Sequence, residues 1–523
     1  MRHAPAAAAA NLAARPLNAA ARRRMAVVAA GWGSAAGGGS SSAGAGRDRR
    51  PPAGGRGDDR RGGRGDDRGR GSWSDYGGRG RGGGDRAPPP RPPADPFADP
   101  AAGPVRCFAT CHPGLEAVVA AEMRAPAVGA VTVAEGRGGV YFSGTLATAY
   151  KANLWSRSAT RVLQLVASGP LTGSGRGGDR LYALTRGAAD WSSLIPPGAT
   201  LAVDARVGGC TDIDSSMFAS TMVRDAVLDA VRDATGSRPP PPRAGTPVDV
   251  PLFLAAHRDS AWLYRDMSRE PLHKRGYRRG PIHKAALNEA AAAGVLALAG
   301  WPAACDAPGA VLADPMCGSG TLLVEAALMA RRVAPGLSRR RWAFQSWPDF
   351  SAKTFHAAVA DAEGAARPWS GTLLGRDHHA GALGLARAAA DFAGVGGAVD
   401  LSLGEAGDWA PSHRPTIVVT NPPWGRRLDA DGRGGDDFWG PQRDTPDPDS
   451  DDDAGAWTQL GAFLRSQASP GDAYVVCGDA GASRALRMKA AARHPLALGG
   501  ADARVLHYKV LPPLERREGV GAV

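Results

Sequence analysis

Cysteine is scarce and poorly spaced for metal binding: the 523-residue chain has six, at 107, 111, 210, 305, 317 and 477, with no Cys-x-x-Cys pair and no histidine at a metal-finger spacing. Free thiols in a reducing compartment are expected, and no metal centre; Cys107 and Cys111, four apart, supply two ligands and not a site. Long apolar runs are also missing. None approaches the roughly 18 residues that read as a bilayer-spanning helix, which excludes a helical membrane-embedded body and argues against a membrane partner. Acidic residues are absent before Asp48, and the first 47 positions hold six Arg with many Ala and Ser, the composition of an organelle transit peptide. No continuous apolar stretch follows the first charges, so a secretory signal is disfavoured. The Ala, Gly and Ser content favours a chloroplast destination over the mitochondrial alternative.

Glycine and proline are abundant instead, 71 and 42 residues, and they concentrate at the N-terminus, where no core can pack. Within residues 48–104, Gly54–Arg60 and Gly62–Arg68 repeat Gly-Gly-Arg-Gly-Asp-Asp-Arg, and Pro88–Pro93 then stiffen the link to the body. Arginine and glycine with an occasional Trp73 or Tyr76 make a disordered RNA-binding arm; a solvated spacer of mixed charge is the competing reading. Residues 1–104 carry 18 Arg against 9 Asp, so +9 of the net +12 sits there. Residues 429–453 hold ten Asp against two Arg, and without that local −8 the remainder would stand at +11. A basic tail on a basic body fits a polyanionic partner such as RNA, with charge for solubility alone as the plainer alternative.

Ordered structure is predicted from about Val105. Arg106–Thr110 reads as a strand, Gly114–Arg124 as a helix with Leu115, Val118 and Val119 inward, Gly139–Ser143 as a strand and Leu146–Trp155 as a helix. Leu201–Val207 reads as a strand and Ser215–Ala234 as an amphipathic helix closed by Gly236, while Val248–Ala255 and Ala261–Met267 complete an α+β module. From about residue 285, helices and strands alternate as in a doubly wound parallel sheet.

Four short segments of that second half carry chemistry. Val311-Leu312-Ala313 is a short strand that runs into Asp314-Pro315-Met316-Cys317-Gly318-Ser319-Gly320-Thr321 and then a helix, so a ligand can approach the glycine backbone closely. The loop lacks the Gly-Lys-Ser/Thr ending of a phosphate loop, and its leading acid suits an ammonium group better than a pyrophosphate. Leu373–Asp377 is a strand ending in an acid that can accept from both hydroxyls of a ribose, or else cap a helix. Glu405, after Asp400, is placed to accept from an adenine amino group or to lie idle at the surface. Finally, the buried-type strand Thr416–Thr420 runs straight into Asn421-Pro422-Pro423-Trp424. The prolines point carbonyls outward with no competing N–H. Accepting both hydrogens of an exocyclic base amine on the Asn421 amide and the Pro422 carbonyl would turn the nitrogen lone pair outward, with Trp424 stacking on a flipped base.

Asp-x-x-x-Gly-x-Gly followed 107 positions later by Asn-Pro-Pro-Trp resembles the amino-group methyltransferases that act on nucleic acids. The match extends to Asp266-Met267-Ser268, Leu272-His273-Lys274-Arg275-Gly276-Tyr277-Arg278 and Ala286-Leu287-Asn288-Glu289, which look like the junction in THUMP-domain RNA guanine-N2 methyltransferases, the bacterial enzymes of large-subunit ribosomal RNA above all. Phe218-Ala219 with Val223–Ala226 resembles the THUMP helix, although Arg224 stands where lysine is usual and Ala286 where proline is. The resemblance implies a ferredoxin-like segment at 105–160, a THUMP RNA-binding domain at 161–268, a basic linker at 269–284, and a Rossmann-like domain with a seven-stranded sheet at 285–512. Residues 429–453 form an acidic insertion within it. It implies S-adenosylmethionine as cofactor, held by Asp314, Pro315, Cys317, Gly318, Ser319, Gly320, Thr321, Asp377, Glu405 and Asn421. Catalysis falls to Asn421, Pro422, Pro423 and Trp424.

The linker has six Lys or Arg against Glu270, so Lys274, Arg275, Tyr277, Arg278 and Arg279 are candidates to grip RNA, or else a solvated connection. His273, His283, His378 and His379 lack partners at metal or triad spacing and are expected to be structural or superficial. In-line methyl transfer by orientation needs no covalent nucleophile, which leaves Cys317 none of that work. A transfer-RNA guanine methyltransferase shares nearly every motif, a DNA adenine-N6 enzyme shares Asn-Pro-Pro without the THUMP-like region, and a non-catalytic assembly factor is the alternative from another class.

Overall fold

A computed structural model describes residues 103–279, 287–424, 426–428, 444–446, 451–478 and 482–512. The transit-type segment, nearly all of the Arg/Gly/Pro arm, residues 280–286 with His283 and Ala286, and most of the acidic insertion lie outside the described residues.

The first half is one seven-stranded sheet. Its strands are β1 (Val105–Cys111), β2 (Thr132–Gly136), β3 (Gly139–Gly144), β4 (Ala159–Pro170), β5 (Leu201–Gly208), β6 (Val250–His257) and β7 (Ser260–Asp266), in the order β2-β3-β1-β4-β7-β6-β5. Side-chain alternation explains the strands: Cys107, Ala109 and Cys111 of β1 and Val250, Leu252, Leu254 and Ala256 of β6 point into the core. The helix Ser216–Thr235 starts where the Ser215 hydroxyl accepts from Phe218 N and stops at Gly236, whose φ of 80° takes the left-handed conformation a glycine adopts without strain.

The expected ferredoxin-like and THUMP segments meet within this sheet. β4 pairs with β1 on one edge (Cys107 opposite Gln164) and with β7 on the other (Leu163 opposite Asp266), so a division at 160/161 falls inside a strand. The ferredoxin-like and THUMP-type portions share a continuous sheet. β2, β4 and the helix Gly177–Gly187 are additions to the predicted elements, and Val118 is only half-buried rather than inward.

The second half contains the predicted doubly wound sheet. It comprises β8 (Val311–Asp314), β9 (Thr372–Asp377), β10 (Val399–Leu403) and β11 (Ile417–Thr420). After the small ladder of β12 (Arg426–Leu428) with β13 (Asp444–Pro446) come β14 (Gly471–Cys477), β15 (Ala492–Leu498) and β16 (Ala501–Val510). Their order is β10-β9-β8-β11-β14-β16-β15, parallel except where β16 pairs with its neighbours. The helix Thr321–Ala330 is buried along its whole length, and Trp457, Leu460, Phe463 and Leu464 of the helix Asp451–Gln467 pack against Val418, Ala473 and Val475 of the sheet.

A broad seam joins the halves. Tyr150 packs on Phe344 and Phe355 at ring-centroid distances of 4.6 and 5.5 Å, and Arg265 of β7 meets Asp349 at 2.5 Å while lying 4.2 Å over the Trp347 ring. At its other end the buried His112 takes Asn288 on one ring nitrogen (2.9 Å) and the Ala497 carbonyl on the other (3.2 Å).

Candidate active site

Parallel strands deliver their last residues to one edge, and in a sheet of this order the crevice opens beside β8, where the chain reverses its direction of growth. Asp314 ends β8, Asp377 ends β9, Glu405 follows β10, and Asn421 follows β11. Residues up to 107 positions apart in sequence therefore share one rim.

The glycine loop is tied to the neighbouring strand tip by two backbone donors: Cys317 N donates to the Arg376 carbonyl at 2.9 Å and Gly318 N to Asp377 Oδ2 at 2.8 Å. Gly320 has φ 72°, and a Cβ there would lie 2.9 Å from that of Ala386, so helix packing as well as conformation demands glycine. Around Gly318, with φ 51°, the space is open for 4 Å. The Ser319 hydroxyl is buried with no hydrogen-bond partner among the described residues. Pro315 is buried at the start of the loop. The Cys317 thiol is driven well above its usual range by burial, with Asp314 and Asp377 adding to the rise, which leaves it no nucleophilic role.

Asp314 is wholly buried, and its Oδ1 accepts from Thr420 Oγ1 at 2.7 Å and Met316 N at 3.2 Å. Burial pushes its carboxyl up to about 7, against the pull of those two hydrogen bonds and with Asp377's charge contributing. The Thr420 bond matters twice, since it links the first strand tip to the residue preceding Asn421. Asp377, half-exposed, accepts from Gly318 N and, at 2.9 Å, from His379 N; the helix cap itself is His379, whose Nδ1 accepts from Ala382 N. The cap alternative for Asp377 is thereby corrected, while its use as a ribose acceptor is compatible with this geometry, because a carboxylate offers about four acceptor sites. Glu405 is exposed on the same rim, with its carboxylate 3.8 Å from His378 and its carbonyl held by Arg376 at 2.8 Å.

The Asn421–Trp424 loop leaves β11 with Asn421 half-buried, Pro422 buried, Pro423 exposed and Trp424 half-buried. Two contacts hold it that the motif does not advertise: Trp457 Nε1 donates to the Pro423 carbonyl at 2.9 Å, and the Trp424 ring lies against Gly478 just past β14. Arg376 and Thr420 are likewise not singled out as site residues by the sequence; each immediately precedes a predicted site residue at a strand tip, Asp377 and Asn421, the one signal that could have marked them.

Part of the expected RNA grip is corrected. Arg275 is 2 % exposed, pairs with Glu325 at 3.4 Å, and donates to the Leu272 carbonyl at 2.7 Å and to the Arg157 carbonyl. Tyr277 is buried beside it and donates to Glu325 at 2.9 Å. Arg278 donates to the Leu287 carbonyl at 2.8 Å and to the Thr321 hydroxyl, so Thr321, expected among the cofactor contacts, has that hydroxyl turned to the junction. These groups sit inside the seam, where no phosphate reaches. Lys274 and Arg279 are exposed, Arg279 lying 4.4 Å over the Phe392 ring.

Against known families, residues 106–163 match the RlmL ferredoxin-like domain and residues 275–438 the RMKL-like methyltransferase domain. The chain carries an RMKL-like methyltransferase domain. Of its relatives, the ribosomal RNA large subunit methyltransferase K/L of Saccharophagus degradans is 36 % identical over 329 residues, 61 % of this chain and 42 % of that protein. The enzyme of the same name from Syntrophotalea carbinolica is 34 % identical over 415 residues, 78 % of this chain and 54 % of that protein. The chain thus spans about half the length of these curated relatives. A possible methylase from Clostridium difficile 630 shares the fold, with a TM-score of 0.65 at 24 % identity over 79 % of this chain and all of that one. The glycine loop of this domain fits S-adenosylmethionine, the cofactor expected from the sequence: room above Gly318, an unused Ser319 hydroxyl, and a buried acid at the strand tip.

Proposed function

We propose that the protein methylates the exocyclic N2 amine of a guanosine in large-subunit ribosomal RNA, and that it does so in the chloroplast. The observation that carries the reading is the juxtaposition of the Asn421-Pro422-Pro423-Trp424 loop with the glycine loop, the two joined through the 2.7 Å bond from Thr420 to Asp314. S-adenosylmethionine, when bound, supplies an electrophilic methyl group on sulfur. Asp314, Ser319 and Asp377 hold the cofactor's polar groups; the Asn421 amide oxygen and the Pro422 carbonyl accept the two amine hydrogens, and Trp424 stacks on the base. The nitrogen lone pair is thereby freed from the ring and aimed along the transfer direction. The proton released from the amine afterwards leaves to water. A ring nitrogen such as guanine N7 carries no hydrogens for Asn421 to accept, and for that reason the loop favours an amine.

With Arg275 and Tyr277 inside the seam, RNA capture falls to exposed cations such as Lys274 and Arg279 and to the arm at residues 48–104. Arginines in a glycine-rich arm engage phosphates rather than base edges, so the arm adds affinity and salt dependence without altering which nucleotide is modified. The test is nucleoside mass spectrometry of chloroplast ribosomal and transfer RNA with and without the protein. Loss of N2-methylguanosine from the large-subunit RNA is expected. Loss from transfer RNA alone would move the substrate there, loss of a ring-methylated guanosine alone would sink the amine assignment, and no change in any nucleoside would favour an assembly factor.

A further inference from the structure

We infer that Trp457 and Gly478 are positioning residues for the base-orienting loop, Trp457 fixing where its carbonyls point and Gly478 seating the indole that meets the base. The inference rests on the amine-orienting role given above to Asn421–Trp424.

Its two prolines strip the loop of the N–H groups that would ordinarily fix successive peptide planes. The fixing bond comes from outside. Trp457 has no exposed surface and packs with Leu460, Phe463 and Leu464 in the core, and from there its Nε1 donates to the Pro423 carbonyl at 2.9 Å. The Pro423 ring locks φ near −65°, so once its carbonyl is held, a single torsion at Pro423 sets the plane that carries the Pro422 carbonyl. A tryptophan in the core thus aims an acceptor in the crevice.

Gly478 acts on the other end of the loop. A Cβ built there would stand 2.3 Å from Trp424 Cε3 and 2.7 Å from Cδ2, and the nearest atoms all belong to that indole. Its φ is outside the left-handed region, so the backbone does not ask for glycine. What excludes a side chain is the Trp424 ring, which rests on the bare Cα and is kept at the depth a stacked base requires.

Trp457→Phe deletes the N–H and, being smaller, also leaves a cavity in the core; Gly478→Ala adds only the colliding methyl. Each is compared with wild type and with Asn421→Ala in single-turnover methylation of transcribed Saccharophagus degradans large-subunit ribosomal RNA, alongside thermal unfolding, cofactor calorimetry and RNA filter binding. Trp457→Phe is expected to lower the unfolding midpoint, through the cavity, and to keep both affinities while the single-turnover rate of the folded protein falls about tenfold, the loss matching one net hydrogen bond. Gly478→Ala is expected to raise the RNA concentration for half-maximal rate about threefold or more in the wild-type background, and to add nothing when Trp424 is already alanine, as two residues acting through one contact do. A wild-type rate in Trp457→Phe beside a dead Asn421→Ala overturns the inference and leaves the proposed reaction standing. A wild-type rate in Asn421→Ala overturns the reaction itself. Should Trp457→Phe not fold, the Gly478 and Trp424 pair decides: an equal penalty with and without the indole overturns the seat.

Discussion

Two clusters of charged and polar groups lie along a single helix, Thr321–Ala330, and they do opposite things. At its middle, Glu325 gathers Arg275 and Tyr277 in the seam, while Arg339 spends its guanidinium on the Pro271, Ser268 and Glu270 carbonyls at 2.7 to 3.0 Å. Burial brings Arg339 and Arg157 down to about 10. At its N-terminal end, the buried Asp314 and the half-exposed Asp377 are engaged chiefly by backbone donors and one hydroxyl, and Asp377 keeps acceptor capacity at an open rim. Residue type does not separate the clusters. What does is whether the partners come from the chain or are left to a ligand: the seam spends its charge on holding two halves together, and the rim holds its charge ready.

The largest effect is expected from breaking the seam. Glu325→Ala leaves the buried Arg275 unpaired and should cost about 3–5 kcal/mol of unfolding free energy in denaturant titration, with the cofactor affinity of the remaining folded protein intact. Equal damage to affinity and stability would erase the distinction. Asn421→Ala tests the rim and should do the reverse, lowering the single-turnover rate by about 10²–10³-fold with thermal stability unchanged. Third, Asp377→Ala should weaken cofactor binding by at least about tenfold in calorimetry, through lost charge-assisted hydrogen bonds; unchanged affinity would reassign Asp377 to holding the glycine loop.

The remaining effect, a dependence on pH, is the sharpest in sign. Asp314's carboxyl is raised to about 7 from a usual 3.8, so the native state binds that proton more tightly than the unfolded chain does. Its contribution to stability is complete below about pH 4, declines as pH rises towards 7, and is level above. A cationic ligand prefers the ionised acid, so cofactor affinity should move the opposite way, rising up to about pH 7. Asp314→Asn, which retains an acceptor for Thr420 and Met316, should flatten both curves, raising stability and lowering affinity at pH 8. A cofactor affinity that stays flat with pH in the unmutated protein would take Asp314 off the ligand.

The rim was legible because each piece joins a short apolar strand to a loop whose composition is restrictive: Val311–Asp314 into glycines, Ile417–Thr420 into two prolines. The seam was not. Lys274–Arg279 reads as a basic run whether it faces water or a carboxylate, and the partner of Arg275 lies fifty positions away. One signal was present, a lone acid in the otherwise apolar Thr321–Ala330. β4 escaped because Arg161 and Gln164 interrupt its alternation, and β15 because Pro495 and outward polar residues mark it as an edge.

The strand shared by both portions of the first sheet also sets a timetable. β1 lies ahead of β4 in the chain and can pair with it as soon as it is made, but the other edge of β4 waits for β7, with Pro170 opposite Ser260, about 90 residues later. During synthesis a row of unsatisfied N–H and C=O groups stands exposed until residue 266 has left the ribosome, an invitation to wrong pairing that nascent-chain chaperones exist to cover. The N-terminal half therefore cannot finish folding piece by piece; its first portion must wait, half-edged, for its last.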